Sequence, residues 1–399
     1  MESFQQAVEA LNNVLGMDAG NAHAWHILGR SYRALERFEE AARSLTKAVE
    51  IEPENKEAWT ERGEAQAALQ RYEEACVSFE KAVQIDGKLH RAWFALGQAN
   101  YRLGLFPKAV AAFESAIERA PNNKEYIYNM ALACHAAGDF DQAVRNWGKV
   151  MELDPANNQA LYQMALSLHA QGQYSDAIQL YKQAAAGLPK NIEVFLNTGR
   201  AYHAQGLFND AVDMYRKALQ IDPAEPEVWD DMGLVFTAMG LYGDAIQAYK
   251  ELTRIAPDWD HAWRHLGDTY YLIRHYENAL QSYEKVVELN PKDYLAWGSL
   301  GQTHYTLGAY DKAIDAGSRA LALKPGELWI QSNCAMSTLL SGNIEGAKAE
   351  YDKVMGLAKT RDELTQQIAA LEGVLAHSPH LAQAGEILVK LKDALKERA

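Results

Sequence analysis

Apolar positions along this chain fall into two alternating helical stripes. Trp25, Leu28, Gly29 and Tyr32 follow one another at short helical steps. After a polar break, Phe38, Ala41, Leu45 and Ala48 do the same. Such spacing gives an α-helix one apolar face, so the pattern predicts a first helix (A), a turn and a second helix (B). The pair returns every 34 residues: Ala41, Ala75, Ala109, Ala143, Ala177, Ala211, Ala245, Ala279, Ala313 and Ala347 mark the period without an insertion. A fixed period of this length signals stacked helical units rather than one globular core.

Other columns keep the same step. Gly29, Gly63, Gly97, Gly199, Gly233, Gly267 and Gly301 stand twelve residues before their alanines, and Trp25, Trp59, Trp93, Trp229, Trp263 and Trp297 four before those glycines. Pro53, Pro121, Pro155, Pro189, Pro223, Pro257, Pro291 and Pro325 close the units, with Gly87 in that place once. Small residues let helices A and B pack antiparallel with axes about 8–10 Å apart, and the aromatic columns are expected to fill the space between consecutive units. Gly317 interrupts a column otherwise held by Phe79, Phe113, Tyr181, Tyr215, Tyr249 and Tyr283. Either this helical glycine weakens the ninth unit or a bulky neighbour fills the gap, and Trp329, two positions off the tryptophan register, is the candidate filler.

Trp263, Leu266, Gly267, Tyr270, Ala279, Tyr283, Val286 and Pro291 together resemble the tetratricopeptide repeat (TPR) family, and the resemblance covers about residues 1–359. It implies an all-α fold, a right-handed superhelical α-solenoid of antiparallel helix pairs, with the A helices along a concave inner face. It is specific for fold and nearly silent about function. On this register residues 1–21 form a half repeat with helix B only, residues 22–361 ten units, and residues 362–399 C-terminal capping helices. The half repeat leans the reading towards a chain cut from a longer protein. Thr360 and Glu363 fit a capping box for a helix reaching about Ala376. Ser378 and Pro379 read as N-cap and first residue of a last helix. A dimerising coiled coil is the rival for this segment, but its apolar seam is short.

Composition narrows the function. The net charge of −14 disfavours a nucleic-acid footprint. Residues 223–300 alone hold 13 Asp/Glu and 6 Lys/Arg, centred on Glu225, Glu227, Asp230, Asp231, Asp258 and Asp260. This block reads as a solvated face or as an acidic patch that steers a basic partner. No apolar run approaches the ~20 residues needed to span a bilayer. Cys76, Cys134 and Cys334 are scattered and suit a reducing cytoplasm. Phosphate loops, zinc-binding His-Glu-x-x-His, Cys-x-x-Cys and Gly-x-Ser-x-Gly signatures do not occur, so neither an enzyme nor a cofactor is expected.

The candidate chemistry is therefore a groove. His135, His169 and His203 lie at successive repeats, in the column of Tyr101, Tyr271 and Tyr305. Their separation of about 10 Å on parallel helices disfavours a shared metal ion. Phe94, Tyr128 and Tyr162 hold the position the resemblance places on the inner wall. With Tyr101 and the histidines they form a double aromatic stripe, suited to an extended peptide or a helix or else packed between units. Arg30, Arg200, Arg264, Glu193 and Asp268 flank the stripe as charge readers. The family's carboxylate clamp lacks its lysine–asparagine pair, and its asparagine ladder is present only at Asn129, Asn197 and Asn333. The expected function is a non-catalytic scaffold that binds a protein or peptide segment. Two alternatives remain: the recruiting array of a larger enzyme, such as a glycosyltransferase, and a scaffold self-assembling through its ends.

Overall fold

The computed structural model describes residues 2–398. The chain falls into two compact units, Met1–Gly206 and Leu207–Ala399. Every regular element in the described residues is helical.

The first unit runs α1 (Glu2–Met17), α2 (Ala22–Ala34), α3 (Phe38–Ile51), α4 (Lys56–Ala68), α5 (Tyr72–Ile85), α6 (His90–Arg102), α7 (Phe106–Arg119), α8 (Lys124–Ala136), α9 (Phe140–Leu153), α10 (Asn158–Ala170), α11 (Tyr174–Gly187) and α12 (Ile192–Ala204). The second runs α13 (Phe208–Ile221), α14 (Pro226–Ala238), α15 (Tyr242–Ile255), α16 (Asp260–Leu272), α17 (Tyr276–Leu289), α18 (Tyr294–Thr306), α19 (Tyr310–Leu323), α20 (Leu328–Leu340), α21 (Ile344–Leu357), α22 (Arg361–His377) and α23 (Gly385–Glu397).

Within the repeats, A helices have 13 residues and B helices 14. Polar side chains set the A starts. Asn21, Asn55, Asn123, Asn157 and Asn191 each accept a backbone N–H of the following helix, and Asp293 does the same for α18. The A–B corner needs one residue in the left-handed region. Glycine supplies it at Gly104 and Gly138, while Glu36, Gln70 and Arg274 take it with φ near 60°.

The tryptophan and proline columns turn out to be one device. The indole N–H of Trp59 donates to the carbonyl of Pro53 at 2.8 Å, and Trp229, Trp263 and Trp297 donate in the same way to Pro223, Pro257 and Pro291. Trp93 reaches Gly87 at 3.0 Å and Trp25 reaches Ala19 at 3.0 Å. Each bond straps the turn that leads into an A helix. Ile127, Leu161 and Phe195 hold the tryptophan column in the next three A helices of the first unit and have no N–H to offer there.

The small-residue columns set the packing. Ala75, Ala109, Ala143 and Ala279 are wholly buried. A Cβ on Gly63 would lie 2.6 Å from Phe79, and one on Gly267 would lie 2.8 Å from Tyr283. These glycines thus receive the bulky B-helix ring of their own repeat. The same rings also reach onward: Phe113 clusters with Tyr126 and Ile127 of the following A helix.

Where the ring is missing, the backbones close up. A Cβ on Gly301 would lie 3.2 Å from both the Ala313 carbonyl and the Gly317 amide. The expectation for Trp329 is corrected here. Cys334 occupies the space beside Gly317, whereas Trp329 packs against Gly298. Trp329 and Cys334 are about one and a half turns apart on α20 and so point to different faces and serve different neighbours.

The C-terminal segment also differs from expectation in one place. Thr360 and Glu363 form both halves of the capping box that starts α22. Ser378 makes no side-chain cap, and Pro379–Ala384 is a 3₁₀ helix, so the last α-helix begins at Gly385. Leu364, Ile368, Leu371, Ile387 and Leu391 are buried with Tyr351 and Val354 of α21. At the other end, α1 buries Val8 and Leu15 beside Leu28 and leaves Phe4 and Val14 exposed.

Candidate functional site

Successive A helices of the first unit touch one another from α2 to α12, so their shared face forms a continuous wall. Side chains stitch this wall at a separation of 35 or 36 residues. His26 Nε2 lies 3.1 Å from Glu61, His90 Nδ1 lies 2.8 Å from the Tyr126 hydroxyl, and Asn197 donates to the Tyr162 hydroxyl at 3.0 Å. In the second unit His265 Nδ1 lies 2.9 Å from Asp230 in the same relation.

The expected aromatic stripe resolves into two rows. Phe94, Tyr128 and Tyr162 face the B-helix ring of their own repeat: Phe113 at 5.6 Å, Trp147 at 4.9 Å and Tyr181 at 5.9 Å between centroids. Phe94 also stacks on Tyr126 at 4.3 Å. Phe94 and Tyr162 are buried, which corrects their place as open groove wall, and Tyr128 is half-buried. The Tyr162 hydroxyl donates to Glu193, and burial together with that carboxylate raises its pKa. Phe94 and Tyr162 are consumed by packing, and Tyr128 keeps part of its surface.

The second row keeps more surface. Tyr101, His135 and His169 are half-buried and meet the first ring of helix B edge-on, at Phe106, Phe140 and Tyr174 respectively. His135 Nδ1 lies 2.9 Å from Ser167 Oγ. The Ser167 hydroxyl already donates to the Gln163 carbonyl, so it accepts from a protonated Nδ1. His169 Nδ1 lies 3.3 Å from the Tyr181 hydroxyl. Burial lowers the pKa of both histidines. Arg200 and His203 are half-buried on α12, and each is engaged with other groups. No cluster among the described residues has the composition of a metal site.

Two cavities open on this wall. One of about 460 Å³ is lined by Tyr101, Gln98, Arg102, Asn129 and Leu132 of α6 and α8 and by Glu64 of α4. The other, of about 520 Å³, lies over α2, α4 and α6 and is lined by Arg30, Arg33, Arg91, Glu57, Glu61 and Glu64. Glu61 is its hub: Arg30 approaches at 3.4 Å and Arg33 at 3.8 Å, beside the His26 bond. Arg33 also pairs with Glu64, which Arg91 approaches at 3.7 Å. Because Glu64 lines both cavities, a charged half and a half-aromatic half adjoin.

In the second unit Arg264 and most of the expected acidic patch are engaged internally. Arg264 pairs with Asp293 at 3.1 Å and with His261. Asp230 holds His265. Asp260 accepts from Asn290 at 2.9 Å, and that bond leads the lowering of its pKa. Glu227 and Asp231 have partners too. Glu225 is half-buried before Pro226, and Asp258 is exposed in the turn before α16.

Helix pairs of constant length, indole straps and glycine-seated rings recur with one period, and family comparison gives that period its place. Tetratricopeptide repeat models match residues 1–50, 27–90, 128–192 and 266–327, residues 168–230 and 202–268, and residues 90–123. The chain belongs to the tetratricopeptide repeat family. A search of curated proteins finds no significant match. Among solved structures, the C-terminal part of a TPR repeat-containing protein from Cytophaga hutchinsonii shares the fold. It has 17% identity and a TM-score of 0.52, with 60% of this chain and 98% of that one covered. YrrB, described as a TPR protein with an unusual peptide-binding site, has 20% identity and a TM-score of 0.43 over 47% of this chain and 96% of its own. Yeast Tom70 has 15% identity and a TM-score of 0.43, with 96% of each chain covered.

In this TPR chain the charged cavity is what sequence reasoning passed over. The signal was present: the histidine column, followed back by two periods from Tyr101, reaches Ala67 and then Arg33. Glu61 and Glu64 share columns with Asn129 and Leu132. Only the wall geometry brings these columns together.

Proposed function

We propose that this TPR protein is a non-catalytic scaffold that binds an extended protein segment along the A-helix wall from α2 to α8. The observation that carries the reading is the pair of adjoining cavities that share Glu64. Their walls offer what a peptide backbone and mixed side chains need: a flat half-buried Tyr101, amide groups at Gln98 and Asn129, and exchangeable arginine–glutamate pairs. Arg30 and Arg91 are 63% and 77% exposed, so a ligand carboxylate can take a guanidinium from its internal partner at small cost.

Selection of binders from a displayed peptide library on the full chain tests the reading, followed by retesting on a Gln98→Trp variant. Gln98 is exposed, so a tryptophan there fills the cavity without touching the core. The selected peptides are expected to lose at least tenfold in affinity while the melting temperature stays unchanged. Full retention by the variant would place the binding surface elsewhere.

A further inference from the structure

One core column of the repeat carries a charge in a single unit. Leu28, Leu96, Met130, Met164, Thr198, Met232, Leu266, Leu300 and Cys334 share a position, and in α4 that position is Arg62. A guanidinium in a core column costs stability unless ion pairs and hydrogen bonds satisfy it. Arg62 is not satisfied in this way. Its buried Nε has no hydrogen-bond partner among the described residues. Its guanidinium lies over the Trp59 ring, 5.0 Å from the centroid, which offsets part of the cost. Burial holds its pKa below the usual arginine range.

Arg62 borders a cavity of about 440 Å³ on the B-helix side, and none of its lining residues lines the two cavities of the A-helix wall. The lining includes Arg43, Lys47 and Arg71 against Glu39 and Glu74, so with Arg62 there are four cations and two carboxylates. The other cations already have carboxylate partners, whereas Glu74 meets no cation directly and attracts Arg62 at longer range. Glu39 takes Arg71 at 3.0 Å and Arg43 at 3.4 Å, Lys47 reaches Glu50 at 2.7 Å, and Glu74 accepts from Gln66 at 3.1 Å. Gln66 is fixed in turn by the Ser78 hydroxyl at 2.5 Å. The cavity therefore has a partly paired rim, exposed at Arg43 and Lys47, and Arg62 is its one lining cation with no direct ion pair, within a chain of net charge −14.

We propose that this crevice between α3, α4 and α5 is a second binding site, and that it takes a carboxylate side chain of an acidic peptide segment onto Arg62. The planar fork of arginine matches a carboxylate with two parallel bonds. Trp25 and Ala42 supply apolar lining for the residues flanking that carboxylate. The two rim glutamates disfavour a more highly charged phosphate, so a monoanionic group fits better. This site stands apart from the A-helix wall, and either can fail without the other.

Calorimetric titration of the full chain with an end-blocked peptide of alternating glutamate and leucine tests it, alongside the same peptide with glutamine and inorganic phosphate as competitor. The glutamate peptide is expected to bind, the glutamine peptide not, and phosphate to leave binding unchanged. Arg62→Leu, which restores the column residue, should weaken the glutamate peptide at least tenfold. Arg62→Lys, which keeps charge but not the fork, should fall between. In melting experiments the peptide should raise the transition of the wild type and not that of Arg62→Leu, while Arg62→Leu alone melts higher than the wild type. Undiminished binding by Arg62→Leu, no binding by the wild type, or displacement by phosphate would overturn the assignment. So would a marked loss of stability in Arg62→Leu, which would make the arginine structural.

Discussion

The helix pairs α4/α5 and α16/α17 follow one plan, and at one core position only the first carries a charge. Trp59 and Trp263 strap their turns with 2.8 Å bonds, Gly63 and Gly267 seat Phe79 and Tyr283, and Ala75 and Ala279 are wholly buried. Three residues after the tryptophan, α16 has Leu266, 4% exposed, and α4 has Arg62. The scaffold is thus robust enough for a single repeat to carry a charge at a core position. Nearest-neighbour stacking explains the tolerance, since a defect in one repeat is felt by its neighbours and not by the whole array.

Swapping residues between these repeats breaks the comparison most severely. Leu266→Arg should cost about 3–5 kcal/mol, because α16 offers no prepared crevice and a buried charge is left unmatched. Amide exchange should show the loss concentrated in α16 and its neighbours; a cost below 1 kcal/mol would mean that any repeat accepts the charge. Ala279→Leu comes next, at about 1–3 kcal/mol from overpacking of α16 against α17, and Ala75→Leu should match it in a denaturant melt if the two plans are the same. Trp263→Phe removes only the strap, and about 1 kcal/mol is expected; Trp59→Phe should cost more, since Arg62 also loses ring area beneath it. Unequal alanine costs or equal tryptophan costs would show that other core differences, such as Gln66 against Tyr270, outweigh Arg62.

The smallest effect concerns pH. The folded-state pKa of His135 is held below its ordinary 6.5 by burial. Such a base contributes stability above pH 6.5 that is lost as pH falls below it, because the unfolded chain binds the proton first. His135→Tyr, the residue type found at Tyr101, should flatten the acid limb of a stability–pH curve; an unchanged limb would assign that limb to other groups.

The repeat was legible because it rests on residue types at fixed steps, and each step has a packing cause. What the columns do to one another was less legible. Trp59 and Pro53 are separate columns until the indole bond joins them. Phe94 and Tyr162 hold a position that the family places on the inner wall, but a ring there reaches the B helix of its own repeat and is buried. Gly317 looked like a gap to be filled, and the backbones of α18 and α19 closed on it instead. Arg62 was hidden by the strength of the pattern around it. The charged cavity at Glu61 needed three helices side by side before its residues met.

The indole straps carry one more consequence, in mechanical terms. Each spans the hinge by which a B helix hands over to the next A helix, so it acts as a tie across the joint that a pulling force would open first. Trp25, Trp59 and Trp93 tie the first joints, whereas those leading into α8, α10 and α12 carry Ile127, Leu161 and Phe195 and are held by their asparagine caps without a tie. Under load the first unit would stretch as a stiff segment in series with a compliant one. That compliant segment is also the stretch carrying His135, His169 and His203.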